Sequence, residues 1–377
     1  MRGWTIVGAL SVTEVVSWGV LYYAFAVFLV PMERELGYSA SELTGAFSLS
    51  LLVAGVAGIG VGRYLDRHSP RALMTAGSIL GVLLVLAWSR VETLPAFYAL
   101  WVGIGLVMAA VLYEPAFTVL AKWFEDPAER TRALTALTLI AGISSFIFLP
   151  LGQALIDAHG WRDALVILAV ILAAVTVPLH ALVLRPGPGV GEAARGAPAR
   201  AVVRSASFWL LASAFFLASV AAFAMIVQSI PFLLERGHGA GFAAFAVGLM
   251  GASQIPGRLL FGVFSLRLPA VFALVAAGIA IIVSVHGTVA VLGGMVVLGM
   301  GSGMAILARA TVVADRYGAA EYGAIAGVMA AVTTGARAVG PVAGAAWASV
   351  VGYPSLLWTL TALAAAAVLL AVLAERD

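Results

Sequence analysis

Charge is what this sequence has least of. Asp, Glu, Lys and Arg make up 10% of the 377 residues, and hydrophobic types make up 63%. A water-soluble domain carries about a quarter of its residues as charged types. So few charges cannot cover a surface that faces water, so lipid is expected to be the main solvent of the fold. Cysteine is absent, which excludes disulfides, thiolate metal centres and cysteine nucleophiles. The five histidines are scattered without the H-x₃₋₅-H or H-E-x-x-H spacing of a zinc site, so neither a metal nor a cofactor is expected. Lysine occurs once, at Lys122, against twenty arginines, and no basic run exists. The net charge of +3 therefore does not read as a nucleic-acid footprint. The arginine bias fits a GC-rich bacterial genome and hence a bacterial inner membrane. A nucleotide loop is missing as well. AGVAGIGVG at 54–62 and GMGSG at 299–303 lack the Lys-Ser/Thr and the preceding strand of a phosphate loop. They read as close helix packing by small residues, which leaves an ion gradient as the energy source.

What the sequence does have is long apolar runs. A membrane-spanning helix needs about 20 apolar residues to cross roughly 30 Å of hydrocarbon. Such runs fall near 4–30, 40–62, 72–90, 95–121, 132–156 and 161–184, and, after a polar interval, near 207–234, 242–264, 269–286, 288–313, 323–349 and 354–374. The first follows Arg2 as in a signal peptide. It contains Glu14, no small-x-small cleavage site follows, and it stays apolar to Val30, so it reads as a retained helix. The expected fold is an all-α membrane protein of twelve transmembrane helices, and a monomer.

The positions of the basic residues orient these spans. With the N-terminus in the cytoplasm, fourteen of the twenty-one basic residues fall on cytoplasmic segments: Arg2, Arg63, Arg67, Arg71, Lys122, Arg130, Arg132, Arg185, Arg195, Arg200, Arg204, Arg267, Arg316 and Arg376. Four fall on the opposite side (Arg34, Arg90, Arg162 and Arg236), and three, Arg258, Arg309 and Arg337, lie inside spans. Both termini are expected inside. The segment 185–206, RPGPGVGEAARGAPARAVVRSA, has no apolar period and reads as a flexible cytoplasmic linker. It separates an N-terminal half (1–184) from a C-terminal half (207–377).

The halves repeat each other. At an offset of 200, Pro31 meets Pro231, Glu35 meets Glu235, Gly37 meets Gly237, Gly62 meets Gly262 and Arg67 meets Arg267. Later the offset falls to 192 or 191, where Gly160-Trp161 meets Gly352-Tyr353 and Pro150 meets Pro341. Two parallel six-helix repeats are one way in which transporters are built.

After the second span the chain reads Gly62-Arg63-Tyr64-Leu65-Asp66-Arg67-His68-Ser69-Pro70-Arg71. This resembles the G-x-x-x-D-R-x-x-x-R loop of the major facilitator superfamily, at the same place in the topology, and with the repeat the resemblance covers the whole chain. It implies a conformational role for Gly62, Asp66, Arg67 and Arg71. Physically, Gly62 permits close backbone approach, Asp66 suits the N-terminus of a neighbouring helix, and the arginines suit acidic partners or headgroups. The plain alternative is a positive-inside loop. Within the superfamily, YYAFAVFLVPMERELGYSASEL at 22–43 and GRLLFG at 257–262 resemble the monocarboxylate and oxalate–formate transporters. That resemblance implies that Arg258, in the eighth span, engages a substrate carboxylate. A carboxylate is common one turn earlier in that group, and here the position holds Gln254. Two drug-antiporter signatures are poorly met. The fourth span has no arginine in its first half, and the fifth offers Leu149-Pro150-Leu151-Gly152.

An ionised side chain within the bilayer costs about 2.5–3.5 kcal/mol on insertion scales, so it usually faces a cavity or a partner. Glu14, Glu114, Arg258, Arg309 and Arg337 are the five here, and the extra positive charge suits an anionic solute. Glu14, about 15 Å into its span, either couples a proton or packs helices. Glu114 shares both readings, since Tyr113-Glu114-Pro115 is either a gating and substrate element or a proline kink. Arg258 is a substrate contact or one half of a Gly-Arg packing pair. Arg337, among small residues in mid-span, is assigned to the cavity. Arg309 is expected to snorkel to the interface, and His180 and His286, near span ends, are expected there too. Tyr22, Tyr23, Gln153, Gln228 and Trp347 are weaker candidates. The leading function is a secondary transporter for a small organic anion of monocarboxylate type, moved by alternating access with or without a proton. The alternatives are an efflux transporter for drugs or other toxic compounds and a transporter-like sensor or scaffold. An enzyme would need convergent acid–base pairs, metal ligands or a Ser/His set, and none is visible.

Overall fold

A computed structural model of the chain describes residues 2–187, 198–264, 266–319 and 321–376; the middle of the predicted linker, 188–197, lies outside the described residues. These are almost all helical, with no strand among them. The spans are α1 (Gly3–Leu36), α2 (Ser41–Arg67), α3 (Pro70–Trp88) and α4 (Leu94–Trp123). The run Pro127–Leu182 divides at Gly160, where φ is 77°, into α5 (127–159) and α6 (161–182). Then come α7 (Ala206–Glu235), α8 (Ala240–Phe264), α9 (Leu268–Ser284), α10 (Thr288–Tyr317), α11 (Tyr322–Val351) and α12 (Tyr353–Arg376).

The helix starts follow from local chemistry. Ser39 and Glu42 form a reciprocal capping box at the head of α2, with 2.9 Å from Ser39 N–H to the Glu42 carboxylate. Asp126 accepts the Glu129 N–H at 2.8 Å, and Pro127 follows in the first turn of α5, where its missing N–H costs nothing.

The repeat seen in the sequence recurs in the backbone. Gly37 and Gly237 end α1 and α7 in the left-handed region, with φ of 73° and 84°. Gly160 and Gly352 make the turns before α6 and α12 with φ of 77° and 80°. Only glycine adopts these angles without strain. Helix packing repeats too. A Cβ on Gly105 of α4 would lie 2.4 Å from the Ser50 carbonyl oxygen of α2. A Cβ on Gly299 of α10 would lie 2.1 Å from that of Met250 of α8, 200 residues after Ser50.

The chain divides into two compact units, Met1–Ala199 with Val313–Ala331, and Arg200–Val312 with Val332–Asp377. In the first, Phe25, Phe28, Trp88, Phe97 and Trp101 fill the core. Arg162 ties its helix ends together. It donates to Glu35 at 2.7 Å and to the Ser89 carbonyl at the end of α3 at 2.8 Å. In the second unit Arg236 does comparable work, donating to the carbonyls of Ile282 and Val285 at 3.0 Å. Outward-facing Val56, Phe146, Val289 and Val350 are exposed, as a lipid-facing surface requires.

Two expectations are corrected. Arg309 does not snorkel: it is buried, because α10 continues to Tyr317 and leaves position 309 two turns inside the helix. His180 is not interfacial. It is enclosed between α3 and α6, with Nδ1 2.7 Å from the Ser78 hydroxyl. His286 is exposed.

Candidate functional site

The first unit holds Asp66 in a fully determined environment. One carboxylate oxygen accepts the Gly323 N–H at 2.9 Å and the other accepts the Ala324 N–H at 2.8 Å. These are unpaired donors of the first turn of α11, the positive end of its dipole. Lys122 lies 3.2 Å from the same carboxylate and donates to the Leu65 carbonyl at 2.8 Å. Both charged side chains are 5% exposed. Removing one partner from a buried pair of this kind typically costs about 3–5 kcal/mol.

Glycine makes this approach possible. A Cβ on Gly62 would fall 1.9 Å from the Gly323 carbonyl oxygen, and one on Gly327 would fall 2.8 Å from that of Gly58. Two G-x-x-x-G steps therefore meet backbone to backbone. Gly62→Val is expected to force the helices apart and to destabilise the protein by about 1–3 kcal/mol. Thermal unfolding in detergent reads this out, and an unchanged midpoint would show that the backbones do not meet at Gly62. Arg67 and Arg71 are exposed. Arg130 reinforces the contact. Buried at the start of α5, it donates to the Asp315 carboxylate and, at 3.2 Å, to the Phe124 and Glu125 carbonyls. Sequence reasoning missed Lys122 and Arg130 as partners, although Lys122 stood out as the lone lysine.

Glu14 lies within α1 and is fully buried, and neither carboxylate oxygen has a hydrogen-bond partner among the described residues. The hydroxyls of Ser11 and Ser17, three residues to either side, are buried without a hydrogen-bond partner among the described residues. One turn later α1 departs from α-helical geometry. Gly19–Tyr23 is a π-helical turn in which the Ala24 N–H donates to the Gly19 carbonyl. The cause lies in α5. Ser144 donates to the Val15 carbonyl at 2.6 Å, and the Phe148 ring occupies the space where a Cβ on Gly19 would be.

The fourth span is interrupted as well. Leu112 is extended, with φ −91° and ψ −159°, and Tyr113–Trp123 restarts the helix with Glu114 in its first turn. Pro115 accounts for the break, since it gives no N–H to Val111 and its ring crowds that carbonyl. Tyr113 and Glu114 are half-buried, and the Tyr113 ring centroid lies 5.0 Å from that of Trp18.

In the second unit Arg258 is buried on α8, one turn after half-buried Gln254. The preceding Gly257 meets the Met300 backbone of α10, its Cβ position 2.3 Å from that carbonyl oxygen. The glycine of the Gly-Arg pair thus packs helices. Arg337 is half-buried on α11 with its guanidinium 5.1 Å from the Phe223 ring centroid, a cation–π distance. Gln228 donates to the Pro341 carbonyl at 3.2 Å, Gln153 to Asp157 at 2.7 Å and Trp347 to Thr359 at 3.3 Å. Of these three, Gln228 is buried, while Gln153 and Trp347 are exposed.

The family model described as Major Facilitator Superfamily matches residues 11–289. Among curated proteins, an oxalate:formate antiporter of Oxalobacter formigenes is 24% identical over 60% of this chain and 55% of its own length. A monocarboxylate transporter 13 of Bos taurus is 28% identical over 69% of this chain and 61% of its own length. The matched region thus spans less than two thirds of either relative. Among solved structures, the human organic anion transporter MFSD10 superposes with a TM-score of 0.76 at 14% identity, covering 98% of this chain and 99% of the other. The transporter FucP gives 0.74 at 16% identity, covering 98% of both chains. These likenesses establish the fold.

Proposed function

This chain belongs to the major facilitator superfamily, and from that premise we propose that it is a secondary active transporter for a small organic anion, with a carboxylate as the recognised group. The pair of arginines in the second unit carries the reading. Arg258 and Arg337 keep their charge when desolvated, and the planar guanidinium matches a carboxylate through two parallel hydrogen bonds. Relatives whose names specify oxalate, formate and monocarboxylates support the same class. Gln254 stands where the resemblance to the monocarboxylate group would put an acid, so the proton is assigned elsewhere, to Glu14 first and Glu114 second.

The helix that bears Arg337 begins at the Asp66 contact. Its first turn is held by Asp66, and Arg337 lies fourteen residues after Gly323, about 21 Å along the same helix. Carboxylate binding is tested with purified protein. Acetate, lactate and oxalate are expected to raise the unfolding midpoint as binding to the native state requires, and stabilisation by amines instead would contradict the reading.

Orientation follows the distribution of basic residues, with both termini and the 185–206 segment in the cytoplasm. Since the chain has no cysteine, a single cysteine at position 195 reports directly. An impermeant thiol reagent is expected to label it in inverted vesicles and not in intact cells. Labelling from outside the cell would reverse the topology.

A further inference from the structure

We propose that the interruptions of α1 and α4 together build an aromatic subsite that holds a planar ring of the transported solute. The inference rests on the transporter reading above and adds the chemistry of the solute's other end. Breaks in spanning helices are tolerated where the backbone is buried in protein or lines a cavity, and transporters place their binding sites at such breaks. Here two of them meet. The π-helical turn Gly19–Tyr23 in α1 and the extended residue Leu112 in α4 are joined by the 5.0 Å contact between Trp18 and Tyr113.

The π-helical turn decides which rings gather. In a regular α-helix Tyr22 and Tyr23 point about 100° apart, and only Tyr22, one turn on, would meet Trp18. The wider turn brings both tyrosines beside the indole, with centroids 5.1 and 6.3 Å from Trp18 and 5.2 Å from each other. Trp18, Tyr22, Tyr23 and Tyr113 are all half-buried, whereas Phe28 and Trp101 of the same unit are sealed. Glu114 identifies what the open side faces. It is also half-buried and adjoins Tyr113, and a carboxyl group in a span is excluded from lipid by its desolvation cost. The side that Tyr113 shares with Glu114 is thus turned from lipid, and partly exposed rings there present apolar faces to a solute that enters. Edge-to-face and offset arrangements favour a flat unsaturated ring over a puckered saturated one of equal size. The proposed function already gives the solute a carboxylate, so a solute that also fits these rings is an aryl carboxylate.

The test compares benzoate with cyclohexanecarboxylate, matched in charge and nearly in size, by thermal stabilisation of the purified full-length protein. Half-saturation is expected at about tenfold lower benzoate. Trp18→Leu and, separately, Tyr113→Leu should bring that ratio close to one, while Trp18→Phe should retain a preference. Equal affinities in the unmodified protein, or a ratio that survives both leucine variants, overturns the ring subsite. Benzyl alcohol separates this failure from failure of the anion reading. If neither carboxylate binds but benzyl alcohol does, and Trp18→Leu removes it, the ring subsite stands and the anion reading falls. If none of the three binds, the ring subsite is wrong.

Discussion

Glu14→Gln is expected to abolish accumulation of solute driven by a pH gradient while leaving solute exchange largely intact. Glu14 is fully buried in α1, and neither carboxylate oxygen has a hydrogen-bond partner among the described residues. A residue of this kind can take a proton on one side of the membrane and release it on the other as the cavity alternates. For one proton per monoanion the cycle is electroneutral, and each unit of pH difference supplies about 1.4 kcal/mol, or tenfold accumulation toward the alkaline side. Glutamine has nearly the same shape and cannot titrate, so the accumulation ratio should collapse to one. A ratio that still follows the pH gradient assigns Glu14 to helix packing.

The second large effect belongs to the arginines. Arg258→Lys and Arg337→Lys keep the positive charge and remove the planar fork. At a bidentate carboxylate site each should weaken anion binding by about 1–3 kcal/mol, which is roughly 5- to 150-fold, with the protein still folded. The competing reading is that each arginine neutralises an acid within the membrane. In that case lysine largely preserves transport, and a charge swap with the partner acid restores it. Titrating acetate or lactate against the two lysine variants separates the readings, since unaltered affinity in both removes the arginines from the solute site.

Much of the fold was legible because lipid imposes a simple code. Runs near 20 apolar residues gave the helices, and Gly37, Gly237, Gly160 and Gly352 marked turns that the backbone then makes with positive φ. Asp66 was also legible. Its place after the second span suggested a helix N-terminus as partner, and it accepts from Gly323 and Ala324. What could not be read depends on contacts far apart in sequence. The π-helical turn at Gly19 is set by Ser144 and Phe148, more than 120 residues away, so no local pattern announces it. Pro115 announced a kink in α4 but not that it would face the irregular turn of α1. Residues 313–331 group with the first unit because Gly323 and Gly327 lie against Gly62 and Gly58, a pairing that the six-plus-six pattern does not contain. His180 looked interfacial by position, and only Ser78 on a neighbouring helix explains its burial.

Solute counterflow in proteoliposomes tests the central claim most directly, because it needs alternating access and solute recognition but no ion gradient. Vesicles loaded with unlabelled carboxylate and diluted into a trace of the labelled compound should show a transient overshoot of label. The overshoot should persist in Glu14→Gln and shrink sharply in Arg337→Lys at subsaturating concentrations. An overshoot with amines or sugars and none with any carboxylate, or one indifferent to Arg258 and Arg337, would contradict the account.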